Sequence, residues 1–433
     1  MAQAQAVASF TIPAADVSAV PIDFTGLWSD GGSHTPHAYL IQWRNGTAGS
    51  TGTGNAFWGR GFSDGTTHWA MAFAASDNVV ASEGAGYVTN QAPLVEAALA
   101  SGALTGLVNH TSFAADTITI TPSDALVNSI SGQVIAFYDT LGAKVMDETM
   151  PAATGSFSKT LVGFQGQSAI FLCGFGSTIN QLTGTTIASM GWATSSSAQA
   201  MLLARVRDGQ TTDYTMGQIA TTGVMAIAGT TGTAQSSEIQ FTSFDADGYT
   251  ANRISSTTQY RYGVLVLGSP ALALTTAQRT AIETWGITCT GLTPTGVLVM
   301  AENPQTAAQT VASEGMHNAV GMATAASQGC VEIHGFANDT LNPNVTEEYT
   351  RSENNKLLTH YDRTGADTFS IVGEVSQSAW ADELLTLSQD DANATAVFMA
   401  LLLFGDAFAG GGGSTERQTL ARGVARGLSR GMA

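Results

Sequence analysis

The chain has 433 residues, and 44% of them are hydrophobic, so it can bury several cores in roughly two to four domains. Only 12% of the residues are charged, against about 25% in an average globular protein, and the net charge is −18. Such an acidic body repels duplex nucleic acid and anionic membranes, and no apolar run approaches the ~20 residues that span a bilayer. We therefore expect neither nucleic acid nor a membrane as a partner of the body.

The amino terminus and the cysteines indicate the compartment. The first residues, Met-Ala-Gln-Ala-Gln-Ala, lack a basic segment followed by an apolar core, so no secretory signal is predicted. Cys173, Cys289 and Cys330 are odd in number and lie among apolar or small residues. This usage predicts unpaired packing residues in a protein made in a reducing cytoplasm.

Two stretches of the chain repeat at a nearly constant distance. Residues 111–116 (Thr-Ser-Phe-Ala-Ala-Asp) recur as residues 242–247 (Thr-Ser-Phe-Asp-Ala-Asp), 131 positions later. Residues 134–137 match residues 264–267, both short aliphatic runs, at an offset of 130. Collinear matches of this kind predict tandem structural units of about 130 residues.

A third unit follows the same order with less similarity. Residues 191–194 (Gly-Trp-Ala-Thr) reappear as residues 321–324 (Gly-Met-Ala-Thr), and we match Ala115-Asp116-Thr117 to Ala366-Asp367-Thr368. The predicted organisation is three repeats and a carboxy-terminal arm, with boundaries at 1–145, 146–272, 273–408 and 409–433.

Within the repeats the pattern is that of β-structure. Runs rich in Val, Ile, Phe and Thr alternate with Gly, Asn, Asp and Ser clusters, which is typical of short antiparallel strands. In the first repeat the predicted strands cover residues 38–43, 69–74, 107–113, 117–121 and 134–138, and residues 397–404 predict the last strand of the third repeat. The predicted fold class is all-β, mainly antiparallel, in β-sandwich or jelly-roll-like repeats with a few short helices.

Two segments are predicted as those helices. Residues 93–100 begin with a proline and end before Gly102. Residues 276–285 begin after Thr275, which stands three positions before Gln278 as in a capping box, and they end before Gly286. Between the two helices, residues 245–248 (Asp-Ala-Asp-Gly) predict a hairpin turn.

The carboxy-terminal arm follows a linker of four glycines and repeats every four residues. On a helix this period gives one apolar stripe and one parallel basic stripe, formed by Leu420, Val424, Leu428 and Met432 and by Arg422, Arg426 and Arg430. Residues 414–433 carry a net charge of +3, so the −18 of the chain corresponds to −21 over residues 1–413. Because its glycines disfavour an isolated helix, we expect the arm to fold on an acidic partner; a solvated, disordered terminus is the alternative.

The sequence predicts no catalytic residue, no metal site and no cofactor. Residues 61–65 (Gly-Phe-Ser-Asp-Gly) have the spacing of a serine-hydrolase elbow, but the following residues indicate a strand, whereas an elbow leads into a helix. His34 and His37, with His68 as a third candidate, lack a convergent ligand set. The spacing of Glu374, Asp382 and Glu383 predicts one helix or loop and not the opposite walls of a glycosidase groove.

The order of motifs resembles the β-sandwich repeats of tailed-bacteriophage virion proteins. It consists of Pro-x-Ala before an apolar strand, a Thr/Gly-rich loop, a Gly-x-Ala-Thr strand and Ser-Phe-Asp-Ala-Asp-Gly-Tyr, with the best match over residues 241–268. The arm is similar to the terminal arms by which phage structural proteins dock onto neighbours. The resemblance implies a non-enzymatic head decoration, spike or tail protein of the virion, made in the host cytoplasm, homo-oligomeric and bound to other virion proteins through residues 414–433.

A receptor- or carbohydrate-binding module for host attachment, as in a tail fibre or adhesin, is the alternative function. In this case loop tryptophans would stack on a host surface glycan. The candidates are Trp43, Trp58, Trp69 and Trp192. Core packing is the competing interpretation of these four residues, and the apolar sequence around them favours it.

Overall fold

The computed structural model describes most of the chain outside the arm. The described residues are 3–46, 56–75, 84–97, 104–174, 176, 178–183, 185–207, 215–228, 235–255, 259–302, 313–314, 316–337, 346–365, 368–392 and 397–408. Within them the protein is all-β, and the paired strands are antiparallel. The predicted fold class is therefore confirmed.

The strands form three units. Unit 1 contains β1 (Gln3–Ile12), β2 (Val20–Asp23), β3 (Ala38–Asn45), β4 (Ala56–Ser63), β5 (His68–Ala75), β6 (Gly84–Thr89), β7 (Leu94–Ala97), β8 (Leu104–Ala114), β9 (Thr117–Pro122) and β10 (Ile130–Asp139). Unit 2 contains β11 (Ala143–Thr149), β12 (Gly155–Thr160), β13 (Ser168–Gly174), β14 (Gln181–Thr183), β15 (Thr185–Ser195), β16 (Ala198–Arg207), β17 (Thr215–Ala220), β18 (Met225–Ala228), β19 (Gln235–Asp245), β20 (Gly248–Ser255) and β21 (Arg261–Leu267). Unit 3 contains β22 (Ala271–Ala277), β23 (Thr284–Thr288), β24 (Leu292–Glu302), β25 (Ser313–Glu314), β26 (Met316–Thr324), β27 (Gln328–Ala337), β28 (Thr346–Glu353), β29 (Leu358–Gly365), β30 (Thr368–Ala381), β31 (Leu384–Asp391) and β32 (Phe398–Ala407).

Each unit has a large sheet and a small sheet with the same strand order. In unit 1 the large sheet runs β1-β10-β3-β4-β5-β6 and the small sheet runs β2-β9-β8-β7. Units 2 and 3 repeat this order, with β11-β21-β13-β15-β16-β17 and β22-β32-β24-β26-β27-β28 as their large sheets. The extra strands β14 and β25 pair with β6 and β17, so each extends the large sheet of the preceding unit.

The two predicted helices are wrong. Residues 94–97 form β7, because Leu94 and Val95 pack into the core of unit 1 and the Glu96 carboxylate accepts the N–H groups of Val127 and Asn128. Residues 276–285 start in β22 and end in β23, and the intervening N–H of Gln278 donates to Val397. The capping-box spacing at Thr275 is therefore coincidental, since the two ends of this segment pair with strands of the two sheets.

The described residues form four large hydrophobic cores and a small cluster of Met201, Ala220 and Ala226. Three of the large cores lie between the large and the small sheet of one unit. The fourth, which we call the central core, combines residues from all three large sheets, such as Leu40, Ile170 and Leu298 from the equivalent strands β3, β13 and β24. The large sheets are thus covered on both faces, which explains why strands such as β3 are buried at nearly every position.

An acidic residue in the same hairpin turn of each unit connects the small sheet to the loop after its first strand. The residues are Asp116, Asp247 and Glu383, and their backbone carbonyls accept the N–H groups of Phe24, Val162 and Cys289. Asp116 and Glu383 have φ values of 57° and 54°, a conformation that costs energy in residues other than glycine. The counterpart of Asp116 in unit 3 is therefore Glu383, and the match to Asp367, which lies outside the described residues, is wrong.

Candidate functional site

The residues predicted to dock on a partner belong to the arm. Leu420, Arg422, Val424, Arg426, Leu428, Arg430 and Met432 all lie outside the described residues. The described chain ends at Phe408, whose N–H donates to the Gly291 carbonyl at 3.0 Å. The arm therefore starts from unit 3, next to the turn that contains Glu383, whose carboxylate accepts the Gly291 N–H.

The four tryptophans considered as ligand-binding residues are core residues. Trp43, Trp58, Trp69 and Trp192 have exposed fractions of at most 1%. Trp43 packs in the core of unit 1, and the other three belong to the central core. Their rings offer no face to an external glycan, so the interpretation of these residues as exposed loop aromatics is wrong.

The elbow-like motif at residues 61–65 forms the end of strand β4 and the turn that leads to β5. The residues that follow form β5, as predicted, and Ser63 at the end of β4 pairs with its first residue, His68. The Ser63 hydroxyl lies 2.9 Å from His68 Nδ1 and accepts the Gly65 N–H at 3.0 Å. Because Ser63 is fully buried and its hydroxyl is already engaged, it lacks the exposed position of an elbow nucleophile.

Gly61 of this motif has a structural role that recurs in all three units. A Cβ atom at Gly61 would lie 2.0 Å from the Pro93 carbonyl oxygen. The equivalent Gly191 and Gly321 would place a Cβ 2.1 Å and 1.6 Å from the carbonyls of Val224 and Leu357. The small sheet therefore approaches the large sheet so closely here that only glycine fits.

His68 occupies a position that ties the two sheets together in the other units. Its counterparts are Gln199 and Gln328, whose side-chain carbonyls accept the backbone N–H groups of Phe241 and Gln377 at 2.9 and 2.8 Å. In unit 1 the ring of His68 lies beside His110, with the ring centres 5.9 Å apart. Burial lowers the pKa of His68 and, together with the neighbouring His68, lowers the pKa of His110 to about 4, so both rings are neutral at pH 7.

The other titratable candidates do not converge. His34 Nε2 contacts Asp30 Oδ2 at 2.8 Å, and His37 Nδ1 contacts the Asp139 carbonyl at 2.8 Å. No group of three or more His, Cys, Asp or Glu side chains among the described residues is arranged to hold a metal ion. The turn at Asp247 uses its carboxylate to accept backbone N–H groups of residues 161 and 163, so these oxygens serve the loop.

The three acidic residues weighed as a glycosidase set have separate structural partners. Glu374 pairs with Lys356 at 3.1 Å, and Asp382 Oδ1 accepts the Thr293 hydroxyl at 3.2 Å. Glu374 pairs with the last residue of β31, whereas Asp382 and Glu383 precede the first, so they lie at opposite ends of a hairpin. Sequence proximity was therefore a poor guide to where these carboxylates lie.

A cavity between units 2 and 3 is the strongest candidate binding site. Its volume is about 350 Å³, within the range of ~300–1,000 Å³ typical of ligand pockets. It is lined by the turn between β15 and β16, the end of β17 and the edge strand β22. The lining residues are Trp192, Ser197, Ala198, Gln199, Ala200, Thr221, Ala273, Leu274 and Thr275.

The lining of this cavity is neutral. It combines apolar groups with three hydroxyls, those of Ser197, Thr221 and Thr275, and contains no ionisable side chain. The amide of Gln199 is already engaged, because its oxygen accepts the Phe241 N–H and its nitrogen donates to the Ser196 carbonyl. Such a site can bind a neutral polar molecule, but its side chains cannot supply an acid, a base or a charged ligand's counter-ion.

Sequence reasoning missed this cavity because its walls come from segments that lie up to 83 positions apart. Its residues are small or hydroxyl-bearing, and the chain is rich in both throughout. Only the comparison of equivalent positions in the three units would have singled out Ala200, which stands where unit 1 has Trp69.

Comparisons with known proteins add no identification. Among the described residues, no helical segment has the length and apolar character that a membrane crossing requires. Searches against family models, curated proteins and solved structures found no match to this chain.

Proposed function

We propose that this chain is a structural, non-enzymatic component of a phage virion, attached to the particle through residues 414–433. The observation that supports the proposal is the central core, which joins three β-units of one chain into a single packed body. A body of this kind exposes three sandwiches from one attachment point. It suits a head decoration, spike or tail protein, whose task is to present a durable surface.

The charge distribution supports attachment through the arm. The body carries −21 and the arm +3, so the arm can bind an acidic surface that the body would repel. The arm follows Phe408 at the end of unit 3, where the chain leaves the sheet beside Gly291. Four glycines then separate it from the body, which leaves the arm free to adopt the orientation its partner requires.

Deletion of residues 409–433 tests this proposal. We expect the truncated chain to keep the circular-dichroism spectrum and thermal midpoint of the full chain, because the described cores lie before residue 409. In particles assembled with the truncated chain, its incorporation should fall to background. Incorporation at the level of the full chain would refute attachment through the arm.

A charge series separates the basic stripe from the apolar stripe. Replacing Arg422, Arg426 and Arg430 together by Gln should abolish incorporation, whereas replacing them by Lys should retain most of it. If the Gln and Lys variants are incorporated equally, charge does not drive docking and the apolar stripe alone would have to carry it.

Host attachment through a surface glycan is the second candidate. The buried tryptophans cannot carry it, but the neutral cavity between units 2 and 3 favours it.

A further inference from the structure

Three equivalent interfaces join the units, and the strand registers allow them to be compared position by position. Trp69, Ala200 and Gly329 are equivalent, because they pair with Phe62, Trp192 and Met322 in the three large sheets. The last strand of each unit has a second set of equivalent residues. They are Gly263, Ala400 and Gln133, which pair with Asp147, Thr275 and Ser9 respectively. The interface between units 1 and 2 and the interface between units 3 and 1 each bring together one residue of the first set and one of the second.

The interface between units 1 and 2 is filled by a large side chain. Trp69 packs directly on Gly263, where an added Cβ would lie 2.6 Å from the indole Cδ2 atom. Two polar contacts then close the rim. Asn90 donates to Asp147 Oδ2 at 2.8 Å, and Asp64 Oδ2 accepts the N–H of Val145, an edge residue of β11, at 3.0 Å.

The interface between units 3 and 1 is filled from the opposite side. Gly329 leaves space, and Gln133 occupies it, with its Cγ atom 2.5 Å from where a Gly329 Cβ would stand. The Gln133 amide donates to the Glu353 carbonyl at 3.1 Å and to Asn354 Oδ1 at 3.3 Å. Asn354 holds the position of Asn90, one residue after the sixth strand of the large sheet.

The interface between units 2 and 3 has small residues on both sides. The equivalent positions hold Ala200 and Ala400. Thr221 and Thr275 occupy the positions that Asn90 and Asp147 hold at the interface between units 1 and 2, where those two residues form a hydrogen bond across the rim. The turn over residues 194–197 (Thr-Ser-Ser-Ser) has no carboxylate to match Asp64, so it offers no such acceptor to the edge N–H of Ala273, the counterpart of Val145. The cavity of about 350 Å³ is the result.

We propose that this cavity binds a neutral saccharide. Its hydroxyl groups and the edge of β22 supply donors and acceptors, while Ala198 and Ala273 supply the apolar surface that sugar C–H groups require. The absence of ionisable side chains from the lining disfavours an anionic or cationic ligand, whose charge would lose solvation without a partner. The Trp192 ring lies beneath this surface and shapes it without being exposed.

Saturation-transfer NMR with the full chain tests the proposal. The probes are glucose, galactose, mannose and N-acetylglucosamine, each with its disaccharide, at millimolar concentration. We expect at least one to bind the wild-type chain. Ala200→Trp, which introduces the residue that fills the equivalent interface, should abolish binding, and the double variant Thr221→Asn/Thr275→Asp should also do so by closing the rim.

Two substitutions on one strand provide the matched control. Thr275→Val keeps the side-chain shape and removes one hydroxyl, so the affinity should fall by about fivefold, the effect of one hydrogen bond. Thr276→Val lies on the opposite face of β22 and should leave the affinity unchanged.

Three results would overturn the proposal. They are no binding of any neutral probe to the wild-type chain, equal binding to the folded wild-type chain and to both cavity-closing variants, or a preference for a charged ligand or a peptide. If Ala200→Trp does not fold, the double variant and Thr275→Val still decide the question. The proposal is independent of the arm, so its failure would leave attachment through residues 414–433 intact.

Discussion

The interface between units 1 and 2 and the interface between units 2 and 3 use the same strands in the same register but differ in their side chains. Trp69 and the Asp64 carboxylate close the first, whereas Ala200 and two threonines leave a cavity in the second. The backbone of the repeat therefore sets where an interface lies. Single side chains decide whether that interface is a solid contact or a binding site, so substitutions that exchange them should convert one into the other.

The largest effect is expected at Trp69. Trp69→Ala removes a fully buried indole from the central core and should lower the free energy of unfolding by about 3–5 kcal/mol. Urea denaturation followed by circular dichroism measures this loss. The half-exposed Trp380 provides the control, and Trp380→Ala should cost clearly less. A loss below about 1 kcal/mol at Trp69 would show that the closed interface contributes little to stability.

Acid sensitivity should differ between the units, because unit 2 has no histidine. In unit 3, burial lowers the pKa of His360 to about 4, while burial and the neighbouring His360 lower the pKa of His317 to about 3. As the pH falls, these two histidines therefore take up protons in the unfolded chain before they do so in the folded chain. The stability that they contribute as neutral side chains is fully present above pH 6.5 and is lost as the pH falls toward 4. Between pH 6.5 and pH 4, the free energy of unfolding of His360→Leu should therefore fall by about 3 kcal/mol less than that of the wild-type chain.

The measurement is the difference in unfolding free energy between the wild-type chain and His360→Leu at a series of pH values. Taking the difference cancels the opposite effect of Glu302, whose pKa is raised by burial. His37→Asn removes an exposed histidine and serves as the control. Parallel profiles for the wild-type chain and His360→Leu would contradict the prediction.

Asp64 should contribute a smaller amount to the closed interface. Burial raises the pKa of its carboxyl. Hydrogen bonds from Thr67, Val145 and Thr66 and the charge of Lys144 lower the pKa by more than burial raises it, so the pKa lies below its usual value. Asp64→Asn should therefore lower stability by about 1–3 kcal/mol at pH 7. The difference should vanish as the pH falls through the folded pKa of Asp64. A difference that is constant down to pH 2 would contradict this assignment.

The smallest effect is expected at the open interface. Ala200→Trp fills the cavity and should raise the free energy of unfolding by about 1 kcal/mol, the usual gain from filling a cavity. Thermal denaturation measures it, with Ala198→Ser at the cavity rim as a nearly neutral control. A large loss of stability would mean that the walls cannot accept the side chain that fits the equivalent interface.

Much of the fold could be predicted from residue patterns. The alternation of Thr117-Ile118-Thr119-Ile120 correctly indicated β9, because one face of this strand is covered and the other is open. The helix predicted over residues 276–285 failed because cap-like residues are common in a Thr-rich chain and tertiary pairing with β32 outweighed them. Helix signals of this kind are local, whereas sheet pairing is decided by strands far away in the sequence.

The sequence contains a signal for the central core that the predictions did not use. Residues 38–43 and 399–404 are apolar at nearly every position, which is typical of strands covered on both faces, yet a single sandwich covers only one. The candidate site could not be predicted, because the cavity depends on the size of Ala200 relative to its counterparts. That comparison requires the register of three sheets.

Hydrogen exchange of Trp69→Ala tests most directly whether the three units share one core. Mass spectrometry of the wild-type and variant chains would follow the exchange of β5, β16 and β27, which hold equivalent positions in the three units. If the central core is common to all units, the variant should exchange faster in all three strands. Faster exchange in β5 alone, with β16 and β27 unchanged, would show that the units are energetically separate and would contradict the account.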